Sequence, residues 1–254
     1  DGKDLFSLQY QNANNSVRVT DQFMEAVLNN ENWELKARTT GEVIKVIKAE
    51  DLFKQLAQAS WECADPGIQF DTTINRWHTT PVSGRINGSN PCSEYVHLDN
   101  SACNLSSLNL LNFLNDDNEF DVDGFRHAVR IMITAQEILV SPSDYPTETI
   151  GDNARKYRQL GLGYTNLGAL LMALGLAYDS DDARSLAAVI TAIMTGEAYK
   201  TSSQIAARLG SFEGYDLNKE AMLSVLNAHR EAIANIPVNE AVPPALRAAA
   251  VEVW

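Results

Sequence analysis

The 254-residue sequence lacks the features of a membrane, secreted or nucleic-acid-binding protein. No stretch reaches the roughly 18 uncharged apolar residues that a membrane span requires, and no charged-then-apolar leader opens the chain. Basic residues are few: 20 lysines and arginines stand against 33 aspartates and glutamates, for a net charge of −13. An acidic surface disfavours binding to nucleic acid, although a nucleotide substrate needs only a local basic group or backbone N–H donors. We therefore expect a cytoplasmic protein without membrane or nucleic-acid partners.

Cysteine is also scarce, since the sequence contains only Cys63, Cys92 and Cys103. An odd number of cysteines without a leader indicates reduced thiols rather than a disulfide scaffold. The four histidines show no paired spacing and no Cys-x-x-Cys occurs, so no metal site is predicted. Cys63 falls near the end of an amphipathic helix, where we expect it to have a packing role.

The two ends of the sequence predict that it is an internal piece of a longer polypeptide. The chain begins at Asp1 without an initiator methionine, and it stops inside the apolar helical run 248–254 without a residue that ends a helix. We therefore expect N-terminal and C-terminal parts of the full protein to lie outside this sequence.

Short strands and helices alternate in the first part of the chain, and the pattern is mostly helical after about residue 120. Strands are expected at 17–19, 33–38, 43–48, 68–70 and 102–110, a strand-to-helix transition at 160–176, and helices at 21–28, 51–62, 122–140, 181–209 and 218–233. Thr20 and Asp51 are expected to cap the first two helices. Short strands between helices predict an α/β architecture.

Between Arg76 and Ser93 the sequence shows glycines and prolines and few periodic apolar residues. A loop of this length without its own secondary structure is usually functional or disordered. Its end carries the most informative residues of the chain, Asn90-Pro91-Cys92-Ser93-Glu94.

The pattern around Cys92 predicts a reactive thiol. Pro91 fixes its own φ and restricts Asn90. In an extended loop, the period of two places the side chains of Asn90, Cys92 and Glu94 on one face. The thiol would then have a hydrogen-bonding amide and a general base beside it. The alternative is a buried cysteine near a polar turn.

A second thiol, Cys103, follows eleven residues after Cys92, at the start of a predicted strand. Two thiols on adjacent antiparallel segments approach each other closely enough for redox chemistry. The alternative role for Cys103 is that of a small buried core residue.

These residues resemble the active-site block of ribonucleotide reductases. The proline between Asn90 and Cys92 and the short interval to Cys103 are similar to the adenosylcobalamin-dependent class rather than to the aerobic di-iron class. Other segments resemble the same family in the same order: YQNANNSVRV at 10–19, DPGIQF at 65–70, INR at 74–76, ACNLSSLNL at 102–110 and RQLGLG at 158–163. The chain is therefore identified as a member of that family.

The resemblance implies a fold. Residues 1–254 would form a partial catalytic domain, part of a ten-stranded α/β barrel with a central finger loop at about 83–94. A mostly helical portion would follow at about 120–254. The interior of such a barrel shields a reactive radical from water.

The resemblance also implies roles in a radical mechanism. Adenosylcobalamin, the vitamin B12 coenzyme, would provide a radical that takes hydrogen from Cys92, and the resulting thiyl radical would remove the 3′ hydrogen of the ribose. Glu94 would accept the proton of the 3′ hydroxyl, and Asn90 would hold the ribose hydroxyls. Pro91 and Ser93 would complete the substrate-binding residues.

Cys103 would supply one of two reducing thiols, and its disulfide partner would be a cysteine upstream of residue 1. The implied partners are a ribonucleotide, a thioredoxin-type reductant and a second subunit in a homodimer. Similarity to the larger members of the family favours a ribonucleoside diphosphate as the substrate, and the activity would then be that of a ribonucleoside-diphosphate reductase used in DNA synthesis.

Three alternatives stay open. The chain is part of a class I reductase whose radical comes from a separate metal subunit, or a nucleotide-binding α/β module in which Cys92 is only packed, or a truncated barrel without activity. Gly161, Gly163 and Gly168 approximate a dinucleotide-binding loop, but the third glycine comes two residues late, and close packing of a strand explains the glycines equally well. We expect the isolated 254 residues not to turn over.

Overall fold

The computed structural model describes residues 13–254, and these residues form two compact units. The first unit comprises residues 13–78 and 85–97, and the second comprises residues 79–84 and 98–254. Residues 90–94 therefore belong to the first unit and Cys103 to the second. The first three residues of the segment at 10–19 lie outside the described residues.

The described part of the first unit contains four strands and three helices. In chain order they are β1 (Ser16–Val19), α1 (Asp21–Leu28), β2 (Asn32–Lys36), β3 (Val43–Lys48), α2 (Ala49–Cys63), β4 (Gly67–Phe70) and α3 (Asp71–Arg76). Strands β1 and β4 pair in parallel, whereas β2 and β3, both predicted as strands, form an antiparallel hairpin. A small core joins β1, α1 and the start of α2, with Val19, Phe23, Ala26 and Ala49 buried.

A side-chain cap explains where α1 begins but not where α2 begins. The hydroxyl of Thr20 accepts a hydrogen bond from the N–H of Phe23 at 3.2 Å, so the predicted cap of α1 is confirmed. The predicted cap of α2 is wrong. That helix begins at Ala49 without a side-chain cap, and Asp51 lies in its first turn, where a carboxylate is favoured by the helix dipole.

The second unit contains two strands and six helices among its described residues. In chain order they are β5 (Asn104–Asn109), α4 (Val122–Val140), α5 (Glu148–Tyr157), β6 (Leu160–Thr165), α6 (Leu167–Ala173), α7 (Asp181–Leu209), α8 (Tyr215–Ala232) and α9 (Pro244–Glu252). Strands β5 and β6 pair in parallel over six residues. The long helix α7 contacts α4 and α9, and Phe125, Val129, Ile190 and Ile193 are fully buried in this core.

The predicted bounds of α4 and α7 are confirmed, and Gly210 ends α7 with a φ of +90°. Helices α3 and α5 are absent from the prediction, since α3 has only six residues and α5 contains few apolar side chains. The buried residues of α5 are the small Gly151 and Ala154, and α3 buries Asp71.

Strand pairing in residues 13–254 produces three separate two-stranded sheets and no closed barrel. The predicted mixed α/β class is confirmed, while the described residues contain only short strands and not the predicted barrel. Within the same residues, no helix is long and apolar enough to cross a membrane.

Candidate active site

The predicted catalytic cysteine lies at the tip of a tight turn. The N–H of Ser93 donates to the carbonyl of Asn90 at 3.0 Å, which closes a four-residue turn with Cys92 at its third position. Asn90 and Tyr95 bond each other twice. The N–H of Asn90 donates to the Tyr95 carbonyl at 3.3 Å, and the N–H of Tyr95 donates to Asn90 Oδ1 at 3.0 Å. The Cys92 thiol is free and exposed.

The prediction that an extended chain places Asn90, Cys92 and Glu94 on one face is wrong. Ser93 has a φ of +64°, in the left-handed region, so the alternation of an extended strand does not apply here. Pro91 suits the second position of a turn because its ring fixes φ near −65°. The three side chains lie instead on one short turn and the residue that follows it.

A buried glutamine supports this turn from strand β4. The parallel register of β1 and β4 sets Arg18 beside Gln69, so their side chains share a face. Arg18 Nη1 donates to Gln69 Oε1 at 2.9 Å. Gln69 Nε2 donates to the hydroxyl oxygens of Ser89 at 2.6 Å and Ser93 at 3.1 Å. Gln69 is 5% exposed, so its amide is shielded from solvent, whereas Ser93 at the other end of the contact is exposed.

Asp71 holds two arginines at the base of the loop. Arg18 Nε bonds Asp71 Oδ1 at 2.8 Å, and Arg85 pairs with the other carboxylate oxygen. Burial pushes the pKa of Asp71 up, but the hydrogen bonds and charges of Arg18 and Arg85 outweigh burial and leave the pKa below its usual value. Asp71 is therefore ionised at neutral pH and fixes both guanidinium groups.

The loop is also anchored at Ile86, whose side chain is buried. Asn75 of α3 pairs with the Ile86 main chain in both directions: Asn75 Nδ2 donates to the Ile86 carbonyl at 3.2 Å, and the Ile86 N–H donates to Asn75 Oδ1 at 3.1 Å. Arg18 Nη2 donates to the same carbonyl at 3.2 Å. Side chains thus satisfy backbone groups that regular secondary structure would otherwise satisfy.

A polar cavity of about 250 Å³ lies beside the turn. Asn14, Ser16, Arg18, Gln69 and residues 87–91 line it. Pockets for whole drug-sized ligands measure roughly 300–1,000 Å³, so this cavity suits one part of a nucleotide rather than all of it.

Two histidines lie close together in the first unit. The rings of His78 and His97 meet edge to face with centroids 5.8 Å apart. Burial, together with the neighbouring His78, lowers the pKa of His97 to about 4. His97 is therefore neutral at physiological pH, and its ring stacks on Tyr95 at the end of the Cys92 loop.

Cys103 lies immediately before β5 and is half-buried, with its Sγ 3.4 Å from the carbonyl of Asn104. Gly161 of β6 is the register partner of Leu105, and a Cβ atom there would come within 2.7 Å of Cys103 Sγ and 2.6 Å of Leu105 Cδ2. The glycine is needed because the sulfur occupies the space of a side chain. Close packing against Cys103 and Leu105 therefore accounts for the glycine at position 161. This agrees with the alternative to a dinucleotide-binding loop, in which the packing of a strand explains the glycines. The hypothesis that Cys92 and Cys103 approach each other on adjacent antiparallel segments stays a prediction.

The expected packing role of Cys63 is also wrong. Its side chain is exposed at the end of α2, where the thiol contacts the carbonyls of Ala59 at 3.3 Å and Asp65 at 3.4 Å. Cys63 lies on the solvent-exposed side of α2.

Residue patterns alone missed the side chains that hold the turn: Arg18, Gln69, Asp71, Asn75 and Ser89. A signal was present, because Arg18 and Gln69 are polar residues at the centres of two short strands that are otherwise largely apolar. A buried polar side chain in such a position needs hydrogen-bond partners, and here the partners are the loop.

The chain is similar to known reductases along its whole length. Residues 5–241 match the family described as ribonucleotide reductase, barrel domain. Over its full length the chain is 53% identical to a vitamin B12-dependent ribonucleotide reductase of Streptomyces clavuligerus and 49% identical to one of Rhodopirellula baltica. Over 80% of its length it is 35% identical to a vitamin B12-dependent ribonucleoside-diphosphate reductase of Mycobacterium tuberculosis.

The chain spans 27%, 24% and 29% of the lengths of these three relatives, respectively. In the Streptomyces clavuligerus and Rhodopirellula baltica proteins the matched segment covers the whole chain and so includes the Cys92 loop and both parallel strand pairs. With the family match covering most of its residues, the chain belongs to the ribonucleotide reductase barrel-domain family.

Proposed function

We propose that this chain is the part of an adenosylcobalamin-dependent ribonucleotide reductase that carries the radical cysteine, Cys92. The complete enzyme would reduce ribonucleoside diphosphates to 2′-deoxyribonucleotides. The observation that carries the proposal is the exposed Cys92 thiol on a turn held by buried polar side chains, in a chain 53% identical throughout to a vitamin B12-dependent reductase. In the same proposal, β1, β4, β5 and β6 are strands of the ten-stranded barrel and residues 83–94 are its finger loop.

The residues of this chain fit the cofactor at Cys92. The thiol is exposed at the tip of the turn, so a radical centre has room to approach its S–H bond. When bound, adenosylcobalamin supplies a carbon-centred radical by homolysis of its cobalt–carbon bond. The rest of the polypeptide would enclose the thiol and keep water from the radical.

Cys92 then acts on the substrate. Its thiol gives up a hydrogen atom, and the sulfur radical takes the 3′ hydrogen atom of the ribose. Glu94 accepts the 3′ hydroxyl proton, which helps the 2′ hydroxyl leave as water. Asn90 Oδ1 is already bonded to the N–H of Tyr95, so its Nδ2 is the group that donates to a ribose oxygen.

Cys103 completes the reduction. Cys103 and a cysteine from outside this chain supply two electrons and two hydrogens, and their sulfurs end as a disulfide. One hydrogen goes as a proton to the 2′ hydroxyl, which leaves as water, and the other replaces that hydroxyl on the 2′ carbon. The 3′ hydrogen atom returns from Cys92, which regenerates the sulfur radical. A thioredoxin-type reductant would restore the two thiols for the next turnover.

The test is a reductase assay of the full-length protein with a ribonucleoside diphosphate, a dithiol and either added or omitted adenosylcobalamin. We expect turnover only with adenosylcobalamin, and none from Cys92→Ser. The matched control is Cys63→Ser, which removes an exposed thiol outside the proposed site and should retain wild-type turnover. Turnover without the cofactor would favour a reductase with a separate metal-radical subunit. Turnover by Cys92→Ser would contradict the role of this thiol.

A further inference from the structure

One carboxamide, that of Gln69, contacts both sides of the segment that carries Cys92. Its Nε2 lies 2.6 Å from the hydroxyl oxygen of Ser89, which precedes the turn, and 3.1 Å from that of Ser93, the last residue of the turn. Ser89 in turn donates to the Asn90 carbonyl at 2.7 Å. The amide therefore bridges the two ends of the five-residue segment 89–93, which contains the turn.

Arg18 determines which end of the amide faces the loop. A guanidinium group only donates hydrogen bonds, so the end of Gln69 that lies 2.9 Å from Arg18 Nη1 is the oxygen. Arg18 is itself held by Asp71 at 2.8 Å and by the Ile86 carbonyl at 3.2 Å. The NH₂ end of Gln69, with two donors, is consequently directed at the two serine hydroxyls.

Ser93 needs this support. Its φ of +64° lies in the left-handed region, which is unfavourable for a residue other than glycine. The conformation persists because contacts hold it: the Ser93 N–H bonds Asn90, and the Ser93 hydroxyl bonds Gln69. Without the second contact, the backbone next to Cys92 is free to move to a more favourable conformation.

We propose that Gln69 is a positioning residue for Cys92: oriented by Arg18, it holds the turn through the Ser89 and Ser93 hydroxyls and so sets the place of the sulfur. The inference rests on the proposed role of Cys92 in hydrogen transfer. Gln69 itself touches neither ribose nor cofactor in this role. Misplacing a reacting atom by about 1 Å costs a rate factor of about 10², so small motions of the turn matter.

The experiment compares three variants of the full-length protein. Gln69→Met keeps the side-chain volume and removes both amide donors. Gln69→Glu keeps the contact with Arg18 and accepts hydrogen bonds from the two hydroxyls, so it tests for rescue. Gln136→Met is the matched control, because Gln136 is also buried, at 2% exposure, and donates to the main-chain carbonyls of Asn104 at 3.1 Å and Gly161 at 2.6 Å.

The first measurement is hydrogen–deuterium exchange of the ligand-free proteins in the peptide that covers residues 90–97. This peptide contains the Ser93 and Tyr95 amides that close the turn. We expect exchange at least about five-fold faster in Gln69→Met and unchanged in Gln136→Met, since exchange reports local opening. Equal exchange in wild type and Gln69→Met, or an equal increase in both methionine variants, would overturn the proposal.

The second measurement is turnover with adenosylcobalamin. We expect kcat of Gln69→Met to fall about 100-fold with KM changed by less than about three-fold, because the substrate contacts remain while the sulfur is misplaced. Gln69→Glu should recover at least about ten-fold of that loss. A Met variant as active as the Glu variant would show that only volume matters at this position, which overturns the proposal.

Two further variants distinguish a failure of the proposed function from a failure of the role of Gln69. If Cys92→Ser keeps its turnover, the proposed function fails whatever Gln69 does. If Cys92→Ser is inactive while Gln69→Met matches wild type, only the role of Gln69 fails. Should Gln69→Met not fold, the pair Ser89→Ala and Ser93→Ala removes the same two contacts and leaves Arg18 its partner. That double variant should show the same faster exchange, and unchanged exchange would overturn the proposal.

Discussion

At the scale of single residues, the missing side chain of Gly161 gives the Cys103 sulfur its space. We predict that Gly161→Ala in the full-length protein displaces this thiol, because the new Cβ would lie 2.7 Å from Cys103 Sγ. Overpacking of this kind costs about 1–3 kcal/mol of stability. Turnover should fall about ten-fold if the displaced sulfur reacts less readily.

The control for this variant lies two residues along the same strand. At Gly163 an added Cβ would meet Ser107 Oγ at 3.6 Å, which is ordinary van der Waals contact. Gly163→Ala should therefore keep turnover within about two-fold of wild type. Equal losses in the two variants would contradict the specific contact between Gly161 and Cys103.

The lowered pKa of His97, about 4, predicts a pH-dependent stability. Between pH 6.5 and 4 the unfolded chain takes up a proton that folded His97 does not, so stability is full above pH 6.5 and falls as the pH drops towards 4. The loss amounts to about 2–3 kcal/mol. His97→Phe should flatten the dependence of melting temperature on pH in this range, whereas His127→Phe, an exposed position on α4, should leave it unchanged.

Residue patterns revealed the residues proposed to meet the substrate but not those that hold them. Cys92 can be recognised from the sequence alone, because Asn90 and Glu94, the residues that mark it, are only two positions away. The partners of Gln69 depend instead on the register of β1 with β4, which joins residues about fifty positions apart. No local pattern contains that register, and so the support of the turn had to be read from the structure.

At the scale of elements, helices with local end signals were predictable. Asp121 accepts from the N–H of Gly124 at 2.9 Å at the start of α4, and Ser180 accepts from the N–H of Ala183 at 3.1 Å at the start of α7. Asn90-Pro91 is a local turn signal, but nothing local indicates the left-handed Ser93, because tertiary contacts hold that residue in a conformation that local preference disfavours.

Helices α4, α7 and α9 are joined by a charged cluster around Arg126. Its Nε lies 2.8 Å from the carboxylate of Glu197, which is 1% exposed, and its Nη2 lies 3.0 Å from the carboxylate of Glu252, which is 63% exposed. The two ion pairs share one guanidinium group but differ in solvent exposure. The buried pair is therefore the sensitive one.

We predict that Arg126→Met destabilises the protein by about 3 kcal/mol, because it leaves the buried Glu197 carboxylate without its nearest cation. Glu252→Gln should cost less than about 1 kcal/mol, as for other exposed ion pairs. Melting temperatures of the full-length variants measure the difference, with a larger decrease expected for Arg126→Met than for Glu252→Gln. Similar decreases in both variants would show that burial does not determine the strength of these pairs.

At the scale of the whole molecule, the alternation of short strands with helices in the sequence was enough to predict the α/β class. The strands of this chain alone were not enough to predict a barrel. Residues 13–254 pair their strands as β1 with β4, β2 with β3 and β5 with β6. Closing a barrel needs further strands between such pairs. The order and number of those strands depend on sequence that these residues do not include.

We predict that the 254 residues alone do not reduce ribonucleotides. The chain spans about a quarter of the length of its relatives, and the proposed partner of Cys103 is not among its three cysteines. Incubation of the isolated chain with adenosylcobalamin, a dithiol and a ribonucleoside diphosphate should give no deoxyribonucleotide, while the full-length protein does. Product formed by the isolated chain would contradict the need for a second reducing cysteine.

The parallel pairing of β1 with β4 also has a consequence for the order of events during synthesis. Its two strands are about fifty residues apart, so the ladder can close only after β4 has left the ribosome, and such non-local closure is slow. Residues 89–93 are translated after β4. The turn therefore emerges last of the three segments, and its contacts with Gln69 complete the arrangement.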